Sequence, residues 1–301
     1  MGPSSILVTS RQNPDLDGTA CALAYAEYLQ KDGQSAVAAV FGAPFREAQF
    51  VWAEFNILAL PAAEKIIDDT EKVIVVDNSN FRGISELVDP AKVVEIIDHR
   101  AEHEADKFPN AKAQIEFVGA AATLIAEKFY QNQIEISRRS AGALYAAIVS
   151  NTINFQAQVT TDRDHKMAEW LKDIADPPKD FIQRMFADKS ALQTGLLEKT
   201  LKSEKYVLTL GDKRISIFQL EIVGVEDFID NNLEEVKKIL TKIRGEEALD
   251  YILLTCIDIE KGCNKIVAVD DDSRALIEKA LDVKFKDNIT KHDLIMRKEM
   301  I

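Results

Sequence analysis

Three short apolar runs in the first third of the chain each end on acids. Ile6–Thr9 is followed by Asn13-Pro14-Asp15-Leu16-Asp17-Gly18, Lys72–Val76 by Asp77-Asn78, and residues 92–97 by Asp98-His99-Arg100. Taken singly each is ordinary, because Asp and Asn before a helix cap it or form turns. Taken together they are not. If the runs are parallel strands, their carboxyl ends share the sheet edge where ligands bind. Carboxylates gathered there repel unless cations neutralise them, and carboxylate oxygens beside one imidazole suit a divalent metal. A divalent metal site with oxygen and nitrogen ligands drawn from these strand ends is therefore expected. The other histidines give no such signal: His103 lies in an acidic run, and His165 and His292 have polar surroundings.

The elements that must position these residues read as a βαβ series. Residues 6–9 are a buried strand, and small and apolar residues then recur at helical spacing from Gly18 to about Lys31. Further runs at 36–40, 72–76 and 92–97, separated by polar or helical stretches, predict a mostly parallel, doubly wound sheet with helices on both faces. Ala-rich stretches at 120–130 and 140–152 read as helices. The pattern weakens near 187–194 and then changes. Residues 206–210 and 215–220, joined at Gly211-Asp212, read as a β-hairpin. A long amphipathic helix at 225–244 and strands at 251–257 and 265–269 follow. The expected division is a first domain at 1–188, a linker at 189–194, and a smaller C-terminal α/β domain with a mixed sheet at 195–301.

Composition limits the function. The chain has 301 residues, 47% of them hydrophobic and 29% charged, which is ample material for two packed cores. A formal net charge of −13 works against binding nucleic acid, so any phosphate ligand must be held locally by metal ions or a few placed cations. The three cysteines, Cys21, Cys256 and Cys263, fit neither a disulfide framework nor a CxxC site, and point to a reducing cytoplasm. No apolar run is long enough to cross a membrane, so the expectation is a soluble protein with no membrane partner.

The ordered set VTSRQNPDLDG, VIVVDNSNFRG, VVEIIDHR, VGAAATLIAEKFY and AAIVSNTINFQAQVTTDRD resembles the motifs of family II inorganic pyrophosphatases, in the Asp-His-His phosphoesterase superfamily. LGDKRISIFQL and IMRKEM resemble that family's C-terminal domain, so the resemblance covers nearly the whole chain. It implies Mn²⁺, Mg²⁺ or Co²⁺ in the first domain, pyrophosphate as the small phosphorylated substrate, and a second domain whose cations close over it. It also implies a homodimer joined through edge strands. Carried over by residue, Asp15, Asp17, Asp77 and His99 match metal ligands, with Asp77 bridging. Lys213, Arg297 and Lys298 match phosphate-gripping cations.

Three positions depart from the pattern. Arg11 stands where the family has its first histidine, Asn151 where it has an aspartate, and Arg100 where it has the second histidine of Asp-His-His. The ligand positions then carry a formal charge of −2, from three aspartates and one guanidinium, where the full pattern carries −4. That charge balances one divalent ion, so the expectation is one or two ions per chain. Arg11 cannot ligate a metal and would weaken or remove the site beside it, while standing near a bound phosphate. Asn151 is expected to offer its carbonyl oxygen as a weaker ligand. Arg100 could grip a phosphate oxygen in bidentate fashion, and Asp-His-Arg also occurs in the Prune-like branch of the superfamily. Two classes stay open: a metal-dependent hydrolase of pyrophosphate, short polyphosphate or a nucleotide, slow or shifted in substrate, and a non-catalytic descendant that binds a phosphorylated ligand.

Overall fold

The computed structural model describes residues 6–100, 102–190, 197–203, 205–293 and 300. They fall into two compact units, Met1–Phe155 with Val159–Met185, and Gln156–Gln158 with Phe186–Ile301.

The first unit is built on five parallel strands in the order β2-β1-β3-β4-β5: β1 Ile6–Thr9, β2 Ala36–Ala38, β3 Lys72–Val76, β4 Val93–Asp98 and β5 Lys112–Ile115. Because successive strand residues point to opposite faces, a run buried on both sides must be apolar throughout. Leu7, Val73, Val75 and Ile96 pack on one face with Ala63, Ile84 and Phe108, which lie in or beside short 3-10 helices. Val8, Ile74, Val76 and Ile97 are buried on the other face. There, α1 Leu16–Lys31 packs on β1 and β3, and α3 Ala121–Asn132 packs on β4. Further helices α2 Arg46–Glu54, α4 Arg138–Asn151 and α5 Asp162–Ala175 complete the layer, and α6 Phe181–Ser190 runs to the end of the first unit and beyond.

The packing of α3 requires a glycine before it. A Cβ on Gly119 would meet Thr152 Cγ2 at 2.5 Å and the Asp164 carboxyl at 3.0 Å, so the loop into α3 lies against α5 with no room for a side chain.

The second unit carries a mixed sheet in the order β10-β9-β8-β7-β6. Its strands are β6 Lys205–Leu210, β7 Lys213–Ile222, β8 Tyr251–Asp258, β9 Cys263–Ala268 and β10 Ile289–Asp293. β7 and β8 are parallel and the other pairs antiparallel. The hairpin between β6 and β7 turns through Gly211, whose φ of 64° is the left-handed value that glycine adopts without strain. Phe218, Leu220, Leu254 and Cys256 face α8 Val225–Glu246 and α7 Leu197–Ser203, and Ile215, Ile217, Leu253 and Ile266 pack with Ile277 of α9 Asp271–Leu281. Lys189 and Ser190 of the expected linker close α6, and its residues 191–194 lie outside the described residues.

Candidate metal centre

The ends of β3 and β4 place Asp77 and His99 side by side. Asp77 leaves β3 with φ 53°, a left-handed conformation that Asp tolerates better than most residues, and its N–H donates to Ile97 O at 2.8 Å. The turn aims its carboxyl into the protein, where it is 1% exposed and neither oxygen accepts a hydrogen bond. The nearest cationic atoms are His99 Nε2 and Arg100 Nη2, each 3.5 Å from Asp77 Oδ1. Arg100 and His99 offset its charge, yet neither oxygen has a close donor, which leaves both able to take a bound cation.

His99 is set up to be such a cation's ligand. Its Nδ1 lies 3.0 Å from Val118 O, and a carbonyl can only accept, so Nδ1 carries the hydrogen. The lone pair of the neutral ring is then on Nε2, which faces Asp77 at 3.5 Å and Asp17 Oδ2 at 3.9 Å. With no cation between them, burial opposes the charged ring, but Asp77 and Asp17 outweigh it and lift the His99 pKa to about 9.

Asp17 completes the group: single ligand atoms of Asp17, Asp77 and His99 all lie within 4.8 Å of one another. It sits in the first turn of α1, fully buried, and also serves α3. The N-cap of α3 is Ala120, which has no side-chain acceptor, and Asp17 takes the free N–H groups of Ala121 and Ala122, each at 2.9 Å. Burial, then the charge of Asp77, raises its pKa to about 7.

Asp15 stands outside this triad as the N-cap of α1, its Oδ1 accepting from Gly18 N at 3.0 Å. Loss of water and the nearby Asp77 raise its pKa to about 6, against the opposing charges of Arg100 and Arg11. Arg11 is half-buried after β1, near enough that its charge also helps to hold Asp77 low. Asn151, the last residue of α4, directs its Nδ2 at Asp17 Oδ2, 2.7 Å away, and so donates where the sequence predicts an acceptor.

Arg100 is anchored through one nitrogen. Its Nη1 donates to Asp77 O and, at 3.0 Å, to Asp98 Oδ1. Asp98 is fully buried and also accepts from the Ser79 hydroxyl and from His99 N at 2.8 Å, so it orients both residues that follow it. Sequence reasoning placed Asp98 at a strand end and gave it no role. It overlooked Asp164 altogether. That buried carboxylate accepts from Gly119 N at 2.9 Å and the Thr123 hydroxyl at 2.5 Å, bracing the start of α3 on which Asp17 rests. The local signal was Thr161-x-x-Asp164, which forms a capping box on α5.

The remaining candidates lie elsewhere. Lys213 opens β7 in the second unit, exposed, with its Nζ 3.0 Å from Asp250 Oδ1. Arg297 and Lys298 lie outside the described residues. His103 is exposed and His165 stacks on Phe155 with ring centroids 4.5 Å apart.

The chain is similar to known proteins along nearly its whole length. The family model for the DHH family, N-terminal domain, matches residues 5–148. A Clostridium acetobutylicum protein assigned as a manganese-dependent inorganic pyrophosphatase is 30% identical over 284 residues, 94% of this chain and 91% of its own length. The manganese-dependent inorganic pyrophosphatase of Bacillus subtilis is 28% identical over 287 residues, again 94% of this chain and 91% of the relative. Among solved structures, a Methanococcus jannaschii protein assigned as a family II inorganic pyrophosphatase superposes with a TM-score of 0.74 at 25% identity, covering 98% of this chain and 95% of that one. With sequence likeness spanning both units and the same fold throughout, the chain belongs to the DHH family and, within it, to the family II, manganese-dependent inorganic pyrophosphatases.

Proposed function

We propose that this chain hydrolyses phosphoanhydride bonds, with pyrophosphate as its first substrate, using a divalent ion held by Asp77, His99 and Asp17. The observation that carries the reading is Asp77: a fully enclosed carboxylate with no hydrogen bond to either oxygen, facing a histidine whose other nitrogen is already engaged. Oxygen and imidazole donors suit Mn²⁺, Mg²⁺ or Co²⁺, and the relatives are named manganese-dependent.

When bound, the ion supplies Lewis-acid charge that polarises a phosphoryl oxygen and makes water more acidic. The chain's own residues do the rest. Val118 O holds the His99 ring in the tautomer that leaves Nε2 available. Asp98 and Asp77 O take up Nη1 of Arg100, which fixes the guanidinium plane, while Nη2 lies 3.5 Å from Asp77 Oδ1, too long for a close hydrogen bond, and can turn to a phosphate oxygen. Arg11 adds positive charge beside Asp15 and Asp77 that no deprotonation removes. Asp15 as a further ligand, and Lys213, Arg297 and Lys298 as substrate cations, belong to the same proposal on sequence resemblance.

Phosphate release from pyrophosphate, short polyphosphate and a nucleotide, each with Mn²⁺, Mg²⁺ and Co²⁺, tests the reading. Metal-dependent release that is greatest from pyrophosphate is expected. Tight phosphate-ligand binding with no release under any metal would make the protein a non-catalytic binder instead.

A cytoplasmic homodimer is part of the proposal. Its supports are three free, buried cysteines, no helix among the described residues long and apolar enough to cross a membrane, and the resemblance. The net charge of −13 argues against a nucleic-acid partner. Sedimentation at micromolar concentration is expected to show two chains per particle, and a monomer alone would remove the dimer.

A further inference from the structure

All the acceptor positions of Asp17 are taken. Oδ1 accepts from Ala122 N at 2.9 Å and the Cys21 thiol at 3.3 Å, and Oδ2 from Ala121 N at 2.9 Å and Asn151 Nδ2 at 2.7 Å. A carboxylate has about four lone-pair sites, so none is left over. Three of the donors are fixed by the fold: two are backbone N–H groups at the start of α3, and Cys21 is buried one turn further along α1. The fourth is the end of a side chain, at the last residue of α4. Asp77 next to it has the opposite character, with both oxygens open.

The amide orientation follows from charge. Turning the Asn151 carbonyl towards Oδ2 would set two acceptors against each other, whereas Nδ2 donates a hydrogen bond to a charged group. Asp17 can therefore share an ion with Asp77 and His99 only when Asn151 lets go of Oδ2. An aspartate at 151 would behave differently, since two carboxylates at this separation need a cation between them.

We propose that Asn151 is a latch that closes Asp17 when no ion is present, competes with the divalent ion for Oδ2, and thereby sets the affinity of the site. The latch rests on the metal site proposed above, but its sign separates it from a simple ligand role. If Asn151 competes, its removal tightens ion binding. If Asn151 ligates the ion, its removal weakens it.

Mn²⁺ binding to the whole chain can be followed by the loss of the free-ion electron paramagnetic resonance signal, in wild type, Asn151→Ala and Asn151→Leu, with folding checked by circular dichroism. Leucine keeps the γ-branched shape of asparagine without its hydrogen-bonding groups, and guards against a collapse specific to alanine. The latch predicts tighter Mn²⁺ binding in both variants, by about tenfold or more, the worth of one charge-assisted hydrogen bond. Adding Asp77→Asn to each should remove that binding. Equal or weaker binding in both variants, with Asp77-dependent binding in wild type, refutes the latch and leaves the metal site standing. No Asp77-dependent binding in any of the proteins would refute both.

Discussion

Asp77 combines a left-handed backbone, complete burial and a carboxylate with no donor, three costly features at one residue. Strain and unmet hydrogen-bonding capacity of this kind persist where a bound group repays them. Asp77→Asn halves the acceptor capacity and removes the charge, so Mn²⁺ affinity and phosphate release should each fall by about 100-fold or more, with little loss of fold in the ion-free protein. Isothermal titration with Mn²⁺ checks the first, a phosphate assay the second, and unchanged ion affinity would count against Asp77 as a ligand. The departures from the family pattern give a complementary gain. Arg11→His with Asn151→Asp removes one guanidinium and adds one carboxylate, returning two units of negative charge. More ions per chain and a rise in pyrophosphate hydrolysis of about 100-fold are expected if a missing ion is the only defect. Equilibrium dialysis and phosphate release measure both. Two tightly held ions in the unaltered protein would show that Arg11 displaces none. At this scale the sequence was legible where acids end apolar strands, as at Asp17, Asp77 and His99. For Asp164 it offered only the Thr161-x-x-Asp164 cap, and not its link to α3, because Gly119 and Thr123 lie more than forty positions away and only the packing of α3 on α5 joins them.

Elements in the first unit are tied to one another at helix starts by carboxylates from a neighbouring helix. Asp17 of α1 serves α3, and Glu27 of α1 serves α4 in the same manner. Glu27 accepts from Ser137 N at 2.7 Å and from the Ser137 and Ser140 hydroxyls, each at 2.6 Å, with Lys31 3.2 Å away. Burial alone would raise its pKa, but these donors prevail and hold it below the ordinary glutamate value. A depressed pKa in the folded state means that its stabilisation is complete above the unfolded carboxyl value, near ~4.3, and is lost as pH falls through the lower folded value. Glu27→Gln should therefore destabilise the first unit by about 1 kcal/mol at neutral pH, and the difference should shrink in acid. Urea unfolding at pH 7 and below pH 4 tests this, and a deficit that persists unchanged in acid would show that the charge of Glu27 is not its source. Buried strands were readable as continuous apolar runs, and the β6–β7 hairpin from its turn residues. β5 was not, because Lys-Ala-Gln-Ile is an edge strand whose residues are all exposed or half-buried, so no apolar run marks it.

Each unit of the whole molecule has its own sheet and its own core, and every described residue of the metal triad lies in the first. Two cores in one chain make a single two-state unfolding step an unsafe assumption. A ligand stabilises only the body that holds it, by RT ln(1 + [L]/Kd), which is about 2.7 kcal/mol when the free ion is at 100 times its Kd. Mn²⁺ should therefore raise the melting temperature of the first unit by several degrees and leave a transition from the second unit where it was. Differential scanning calorimetry with and without Mn²⁺ reads both transitions. The two tryptophans offer an independent probe, since Trp52 and Trp170 both lie in the first unit. Their fluorescence should follow the shifted transition alone, while far-ultraviolet circular dichroism follows both. In Asp77→Asn the shift should vanish and the second transition should be unaffected. One transition that moves as a whole with Mn²⁺, seen alike by both probes, would instead mean that the two units unfold as one cooperative body and that ion binding in the first is felt throughout the chain.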